Sequence, residues 1–247
     1  MKLTQTKSLL ATLTFGSLIA SGSAHATVID DFTSDTLSPE WNQSVVLTQG
    51  AGATVTFDTT TNSDELTYGF SGANGNAQQV VLMRDDVTLT NPGDYVQTKV
   101  RLSADGAGSN LFMGVAIDEV SETPSNRDNL FGLFLDGDGR IVQQRPGAQQ
   151  TSAVNAFDET QDWYLRITLV TPTSIQTSYS SDGVSFTNIH SARTITGVAS
   201  VGYFTGNARS SAAGNTGIAD DFTVVPEPGS LALLGLGGLC VLRRRRG

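Results

Sequence analysis

The chemistry open to this chain is limited by the groups it lacks. Of its two histidines, His25 lies near the amino terminus and only His190 lies in the body; the sole cysteine, Cys240, lies near the carboxyl end. A Ser-His-Asp relay would have to use His190, at the end of a predicted strand with no flanking motif. A multi-histidine metal centre is excluded. Carboxylates are abundant, with 24 Asp+Glu against 15 Lys+Arg. Asp64-Glu65 and Asp85-Asp86 are adjacent pairs whose members diverge on a strand. Asp118-Glu119-Val120-Ser121-Glu122 lacks the spacing that places two carboxylates on one strand face for glycoside hydrolysis. Asp136-Gly137-Asp138-Gly139 starts like a calcium loop, but the pattern fails at Arg140, and a hairpin turn accounts for it. Asp30-Asp31 and Asp220-Asp221 belong to an Asp-Asp-Phe repeated at both ends of the core, and offer the oxygen ligands that calcium takes.

A second set of residues suits recognition. Sugar binding combines aromatic faces with planar polar groups. Residues 94–102 alternate, with Val96, Thr98, Val100 and Leu102 on one face and Tyr95, Gln97, Lys99 and Arg101 on the other. Residues 163–169 alternate likewise, sending Trp163, Leu165, Ile167 and Leu169 inward and Tyr164, Arg166 and Thr168 outward. If these strands adjoin, Tyr95, Arg101, Tyr164 and Arg166 are the candidate glycan contacts. The competing reading is an ordinary solvated sheet face. Trp41 and Trp163 suit a core better than a ligand platform.

The elements that must position these groups are strands. Roughly thirteen strand signals recur between Gly/Asn/Asp/Ser turns, with no amphipathic helix in the core. Leu111–Ile117 and Leu130–Leu135 are uniformly apolar, as expected of central strands covered on both faces. Asp136–Gly139 joins 130–135 to 141–145, and Ser181-Asp182-Gly183 joins 175–180 to 184–189. The expected fold is all-β: a two-sheet antiparallel sandwich.

The two ends carry different signals. Residues 1–26 read as a secretory leader: Lys2 and Lys7, an apolar stretch through Ile19, then Ala24-His25-Ala26 as the cleavage site. At the other end, Pro226-Glu227-Pro228 is followed by an apolar run to Leu242, Arg243, Arg244, Arg245, Arg246 and Gly247. A helix over Ser230–Leu242 would be about 20 Å long, against about 30 Å of hydrocarbon, which suits transient retention. The arginines keep the tail's end cytoplasmic. Removing both ends leaves nine cationic residues, Lys99 the only lysine, against 23 acidic ones. That balance argues against nucleic acid or anionic lipid as a partner, and the absence of core cysteine means stability by packing alone.

The tail resembles the PEP-CTERM sorting signal of Gram-negative bacteria, on Pro226, Glu227, Pro228, the short Gly/Leu-rich span and the terminal arginines. The resemblance implies recognition by an exosortase-type transpeptidase that cuts near the motif, after transient insertion in the inner membrane. The expected organisation is a signal peptide (1–26), a β-sandwich ectodomain (27–224) and a sorting signal with a short transmembrane helix (225–247). A second resemblance spans the core: Ile29-Asp30-Asp31-Phe32 with Trp41, Asp162–Ile167, Tyr179–Phe186, Val201–Phe204 and Ala219–Phe222 are similar to concanavalin-A-like, laminin-G-like jelly-roll modules. It implies that the first and last strands are neighbours, and that Asp30, Asp31, Asp220 and Asp221 hold a structural calcium. Together these readings imply an exported cell-surface or matrix protein with a non-catalytic domain that binds exopolysaccharide. A spacer without a ligand and a secreted glycoside hydrolase are the alternatives.

Overall fold

The computed structural model describes residues 27–34, 36–48, 53–62, 64–72, 78–103, 111–119, 130–144, 152–155, 157–207 and 216–225. The leader, with Ala24 and Ala26, and the tail from Pro226 onward lie outside the described residues, as do the helices expected there. Among the described residues there are fifteen strands and no helix. In chain order they are β1 (Thr27–Asp30), β2 (Trp41–Thr48), β3 (Ala53–Asp58), β4 (Leu66–Gly72), β5 (Gln78–Arg84), β6 (Tyr95–Leu102), β7 (Leu111–Glu119) and β8 (Phe131–Asp136). Then come β9 (Arg140–Gln144), β10 (Ser152–Asn155), β11 (Trp163–Thr171), β12 (Ser174–Ser180), β13 (Thr187–Thr194), β14 (Val198–Asn207) and β15 (Thr216–Val225).

The strands form two antiparallel sheets, the expected all-β sandwich. One sheet runs β13-β12-β11-β6-β15-β4-β3, with β1 also on β15; the other runs β10-β9-β8-β7-β14-β5-β2. Period-two alternation explains the first sheet. Along β6 every second residue, from Val96 to Leu102, is buried while Tyr95, Gln97, Lys99 and Arg101 are half-buried. The second sheet is different: β7 and β8 are buried at every position. Their inward side chains (Met113, Val115, Ile117, Leu133, Leu135) join the main core, while Phe112, Ala116, Phe134, Val81, Met83, Val142 and Phe204 form a second buried cluster on the opposite face. A strand buried on both faces loses its polar alternation, which is why these segments read as continuous apolar runs.

Two turns test the sequence reading. The Asp136–Gly139 turn joins β8 to β9, with Asp136 Oδ1 accepting from the N–H groups of Asp138 and Arg140 at 3.1 and 3.0 Å. Gly139 has φ +68°, where a side chain would be strained. The turn after β12 is longer than expected: β13 starts at Thr187 rather than near Val184. Asp182 explains the difference. Its Oδ1 accepts from the N–H groups of Val184 and Ser185 at 2.8 and 2.7 Å. Those donors therefore turn inward to the loop instead of joining a ladder.

Candidate functional site

The repeated Asp-Asp-Phe closes the fold. β1 pairs with β15, Thr27 opposite Val224 and Asp30 opposite Phe222, so the first and last strands are neighbours. On that edge β15 pairs first with β4 over residues 216–219 and then with β1 over 222–224. The change of partner falls at a bulge in the β15–β6 ladder between Asp220 and Thr223. Asp221 lies in the bulge at φ +53°, and Phe32 takes the same φ just after β1. Positive φ is unfavourable for a side-chain-bearing residue. At both places it turns a phenylalanine into the core. Phe32 and Phe222 pack with Trp41 and Tyr203, ring centroids 5.0 to 6.2 Å apart. Asp30 serves this cluster: Oδ1 accepts from the Phe32 N–H at 2.9 Å and Oδ2 from Trp41 Nε1 at 2.8 Å. Thr98 Oγ1 shares a hydrogen bond with Tyr203 Oη at 3.0 Å and donates to the Asp220 carbonyl at 2.9 Å. Burial pushes the Tyr203 phenol well above its ordinary value.

Asp220 and Asp221 flank a cation supplied by the chain. Lys99 Nζ lies 2.6 Å from Asp220 Oδ2 and 4.0 Å from Asp221 Oδ2. Burial alone would lower the lysine's pKa, but the hydrogen bond and charge of Asp220 outweigh it and the net shift is upward. Burial and the Asp220 charge raise Asp221, with Lys99 opposing them. Asp31 is exposed and accepts from the Thr33 N–H and hydroxyl at 3.2 and 2.9 Å. As a calcium cage the quartet fits poorly: both Asp30 oxygens are committed to N–H donors, and Lys99 stands where a metal would neutralise Asp220. Among the described residues no group of three or more His, Cys, Asp or Glu side chains is arranged to hold a metal ion.

The candidate glycan contacts come together on the outer face of the first sheet. β6 and β11 pair directly, Tyr164 opposite Lys99 and Arg166 opposite Gln97. The Arg166 guanidinium lies between two rings, 4.0 Å from the Tyr95 centroid and 3.5 Å from that of Phe186. Its Nε and Nη2 donate to Gln97 Oε1 at 3.0 and 2.6 Å, and burial lowers its pKa. Arg101 reaches Glu65 at 2.7 Å and Asp162 at 3.0 Å. Tyr164 lies under Gly183, whose position leaves only 3.0 Å between a built Cβ and the tyrosine ring. The 181–186 loop thus covers part of this face. Sequence reasoning missed Phe186 and Glu65. Their partners are distant in the chain, and only the alternation within each strand was readable.

The carboxylates considered for catalysis separate. Asp118 and Glu119 are consecutive on β7 and therefore face opposite sides of the sheet. Both are buried, and Glu119 Oε2 accepts from the Thr196 N–H and hydroxyl at 2.8 and 3.0 Å. The side chain of His190 lies outside what the structure describes.

Comparison with known proteins adds two findings. The PEP-CTERM protein-sorting motif matches residues 224–246, so the chain carries that motif at its carboxyl end, and the motif indicates an exported, exosortase-processed protein. Several solved structures are similar to the chain at low identity. The Emp47p carbohydrate recognition domain is 10% identical, with TM-score 0.48, and the match covers 83% of this chain and 99% of that one. The Ca2+-bound VIP36 exoplasmic/lumenal domain is 11% identical, with TM-score 0.45, covering 81% and 93%. Lectin UEA-II complexed with galactose is 12% identical, with TM-score 0.44, covering 78% and 99%. No curated protein sequence matches the chain.

Proposed function

We propose that this is a cell-surface or matrix protein of a Gram-negative bacterium whose non-catalytic sandwich binds extracellular polysaccharide. The leader (1–26) directs export, the tail (225–247) is held briefly in the inner membrane, and an exosortase-type enzyme then processes it. The observation that carries the binding reading is the β6–β11 pairing, which aligns Tyr95, Arg101, Tyr164 and Arg166 on one outer face. Arg166 is held between its ring partners and bonded to Gln97, so less side-chain entropy is lost on binding a ligand. A glycan array tests the site. Binding that disappears in Tyr164→Ala and Arg166→Ala variants supports it; an array blank for the wild type refutes it. A blank array favours the spacer reading, supported by the engagement of Arg101 and Arg166 within the chain. Release of reducing sugar by the purified protein, abolished by one carboxylate substitution, would instead establish a hydrolase. The sorting reading is tested by the mass of the mature protein with and without the sorting enzyme; an unchanged carboxyl terminus at Gly247 counts against it.

A structural calcium belongs to the same proposal. Asp31 and Asp221 are the outer ligands it would use, since Asp30 and Asp220 are engaged with Trp41 and Lys99. Thermal unfolding in chelator and in excess calcium decides this, with coincident curves refuting it.

A further inference from the structure

The outer face of the first sheet divides by charge. Residues directly opposite each other on neighbouring strands point to the same face, so the ladders lay out its rows. One row runs Thr223 on β15, Gln97 on β6, Arg166 on β11, Ser178 on β12 and Asn188 on β13. It crosses five strands, about 19 Å at about 4.8 Å per spacing, and contains a single cation among neutral polar side chains, with no carboxylate. The neighbouring row on that face sets Asp220, Lys99 and Tyr164 side by side.

Other described cations hold acidic partners. Arg84 reaches Asp86 at 2.8 Å, Lys99 reaches Asp220 at 2.6 Å, Arg101 reaches Glu65 at 2.7 Å and Arg140 reaches Asp136 at 2.6 Å. The partners of Arg166 among the described residues are neutral: the Tyr95 and Phe186 rings and Gln97 Oε1. A guanidinium has five N–H donors. Gln97 Oε1 takes one from Nε and one from Nη2, so both Nη1 donors and the second on Nη2 have no acceptor among the described residues. Burial works against the arginine's charge, with only Tyr95 in opposition. A half-buried charge without a counter-ion is costly. With 23 acidic residues between the two end signals, the lack of one here is not a shortage of carboxylates.

We propose that the ligand of this face brings its own anion: it is an acidic polysaccharide whose carboxylate or sulfate group docks on the unused N–H donors of Arg166, while Gln97, Thr223 and Asn188 meet its hydroxyl groups. The inference rests on the polysaccharide-binding reading above and names the charge class of that ligand. The Nη1–Nη2 edge presents two parallel donors, which an ammonium cannot reproduce. The domain's overall negative charge does not prevent this, because at 0.15 M salt charges more than about 8 Å away are largely screened.

The test is binding of the full chain, at that salt concentration, to polygalacturonate and its carboxyl-reduced neutral twin, and to dextran sulfate and plain dextran. The wild type should bind an acidic polymer at least about tenfold tighter than its neutral twin. Preference for polygalacturonate assigns a uronate, preference for dextran sulfate a sulfate ester, and preference for both assigns the charge alone. Arg166→Gln should bring the twins to within about twofold of each other. A displaced 181–186 loop would give the same loss, so a second variant is needed. Gln97→Glu keeps the side-chain shape and the acceptor for Arg166 but supplies an internal carboxylate. It should weaken the acidic polymer about tenfold without lowering the melting temperature. A wild type that binds the neutral twins as tightly as the acidic polymers overturns the inference and leaves the binding reading standing. A preference that Gln97→Glu retains in full overturns it as well. A wild type that binds none of the four polymers, and nothing on the glycan array, fails the binding reading itself, and the inference falls with it.

Discussion

Replacing Lys99 with methionine keeps most of the apolar stem and removes the one positive charge that holds Asp220 and Asp221 together. Lys99 and Asp220 side chains are each 17% exposed, and that of Asp221 is 50% exposed. At an effective dielectric constant of about 20, a charge pair at 4 Å is worth about 4 kcal/mol before solvation is subtracted. Breaking a fully buried pair costs about 3–5 kcal/mol. The residual exposure here argues for the lower end, about 3 kcal/mol, or a fall of about 6–12 °C in melting temperature for a domain of this size. The pH dependence gives a sharper test. Asp221 is already held above its ordinary value by burial and by Asp220, with Lys99 pulling it down. Without the lysine the Asp221 carboxyl rises further. A carboxyl whose folded pKa exceeds its unfolded value binds protons first in the folded state, so its stability contribution falls as pH rises and returns on acidification. The deficit of Lys99→Met should therefore be largest at neutral pH and narrow between about pH 6 and 4. Adding Asp220→Asn should recover most of it at pH 7. Urea denaturation across this range reads all three. A deficit below about 0.5 kcal/mol at pH 7, or one equally large at pH 4, refutes Lys99 as the internal counter-ion.

The remaining predictions concern packing, the covering loop and one turn. A Cβ on Gly114 would lie 1.9 Å from the Leu133 carbonyl oxygen, and one on Gly132 would lie 2.2 Å from the Phe204 ring. Backbone cannot yield as a ring can, so Gly114→Ala should lose at least about 3 kcal/mol and Gly132→Ala about 1–3 kcal/mol in urea titrations; the reverse ranking refutes the argument. Arg166→Lys cannot reproduce the flat stack or the paired donation to Gln97. It should lose about 1–2 kcal/mol and speed amide hydrogen exchange in residues 181–186, and unchanged exchange would show that Phe186 is not the latch. The Thr60 and Thr61 hydroxyls and the Thr60 N–H hold the Asp58 carboxyl down at about 2. Its contribution to stability is complete above the ordinary 3.8 and fades as pH falls toward 2. Carbon NMR should place its titration midpoint near 2, and Thr60→Val should move it upward.

What could be read from the sequence follows the range of each signal. Alternation along 94–102 and 163–169 is a property of single strands, so the inward and outward sets were correct residue by residue. The Asp136–Gly139 hairpin was equally local. That the first and last strands are neighbours came from the resemblance to jelly-roll modules, with which the repeated Asp-Asp-Phe agrees, and β1 does pair with β15. The repeat displays four carboxylates and hides their partners. Trp41 Nε1 is 11 residues from Asp30, and Lys99, more than a hundred residues from Asp220, reaches it only through the β6–β15 ladder. Asp182 similarly concealed the start of β13, since a side chain that captures two N–H groups is not visible in a pattern of apolar residues.

Lys99 and Arg166 together suggest why so acidic a domain keeps so few cations. With 23 acidic residues against nine basic ones between the two end signals, self-repulsion works against the compact state. The cations described on the outer face of the first sheet are placed where they do most. Lys99 meets the bulge at which β15 changes partner. Arg101 ties β6 to Glu65 beside β4 and to Asp162 beside β11. Arg166 fixes the loop that covers Tyr164. Each joins segments far apart in sequence, as a disulfide does in other exported domains, and so adds to the packing of a core without cysteine. The same economy sharpens the test of the binding reading. A polysaccharide that engages Arg101 or Arg166 must compete with these internal partners. Its affinity should therefore rise when a competitor such as Glu65 is replaced by glutamine, whereas a spacer with no ligand shows no binding in either form.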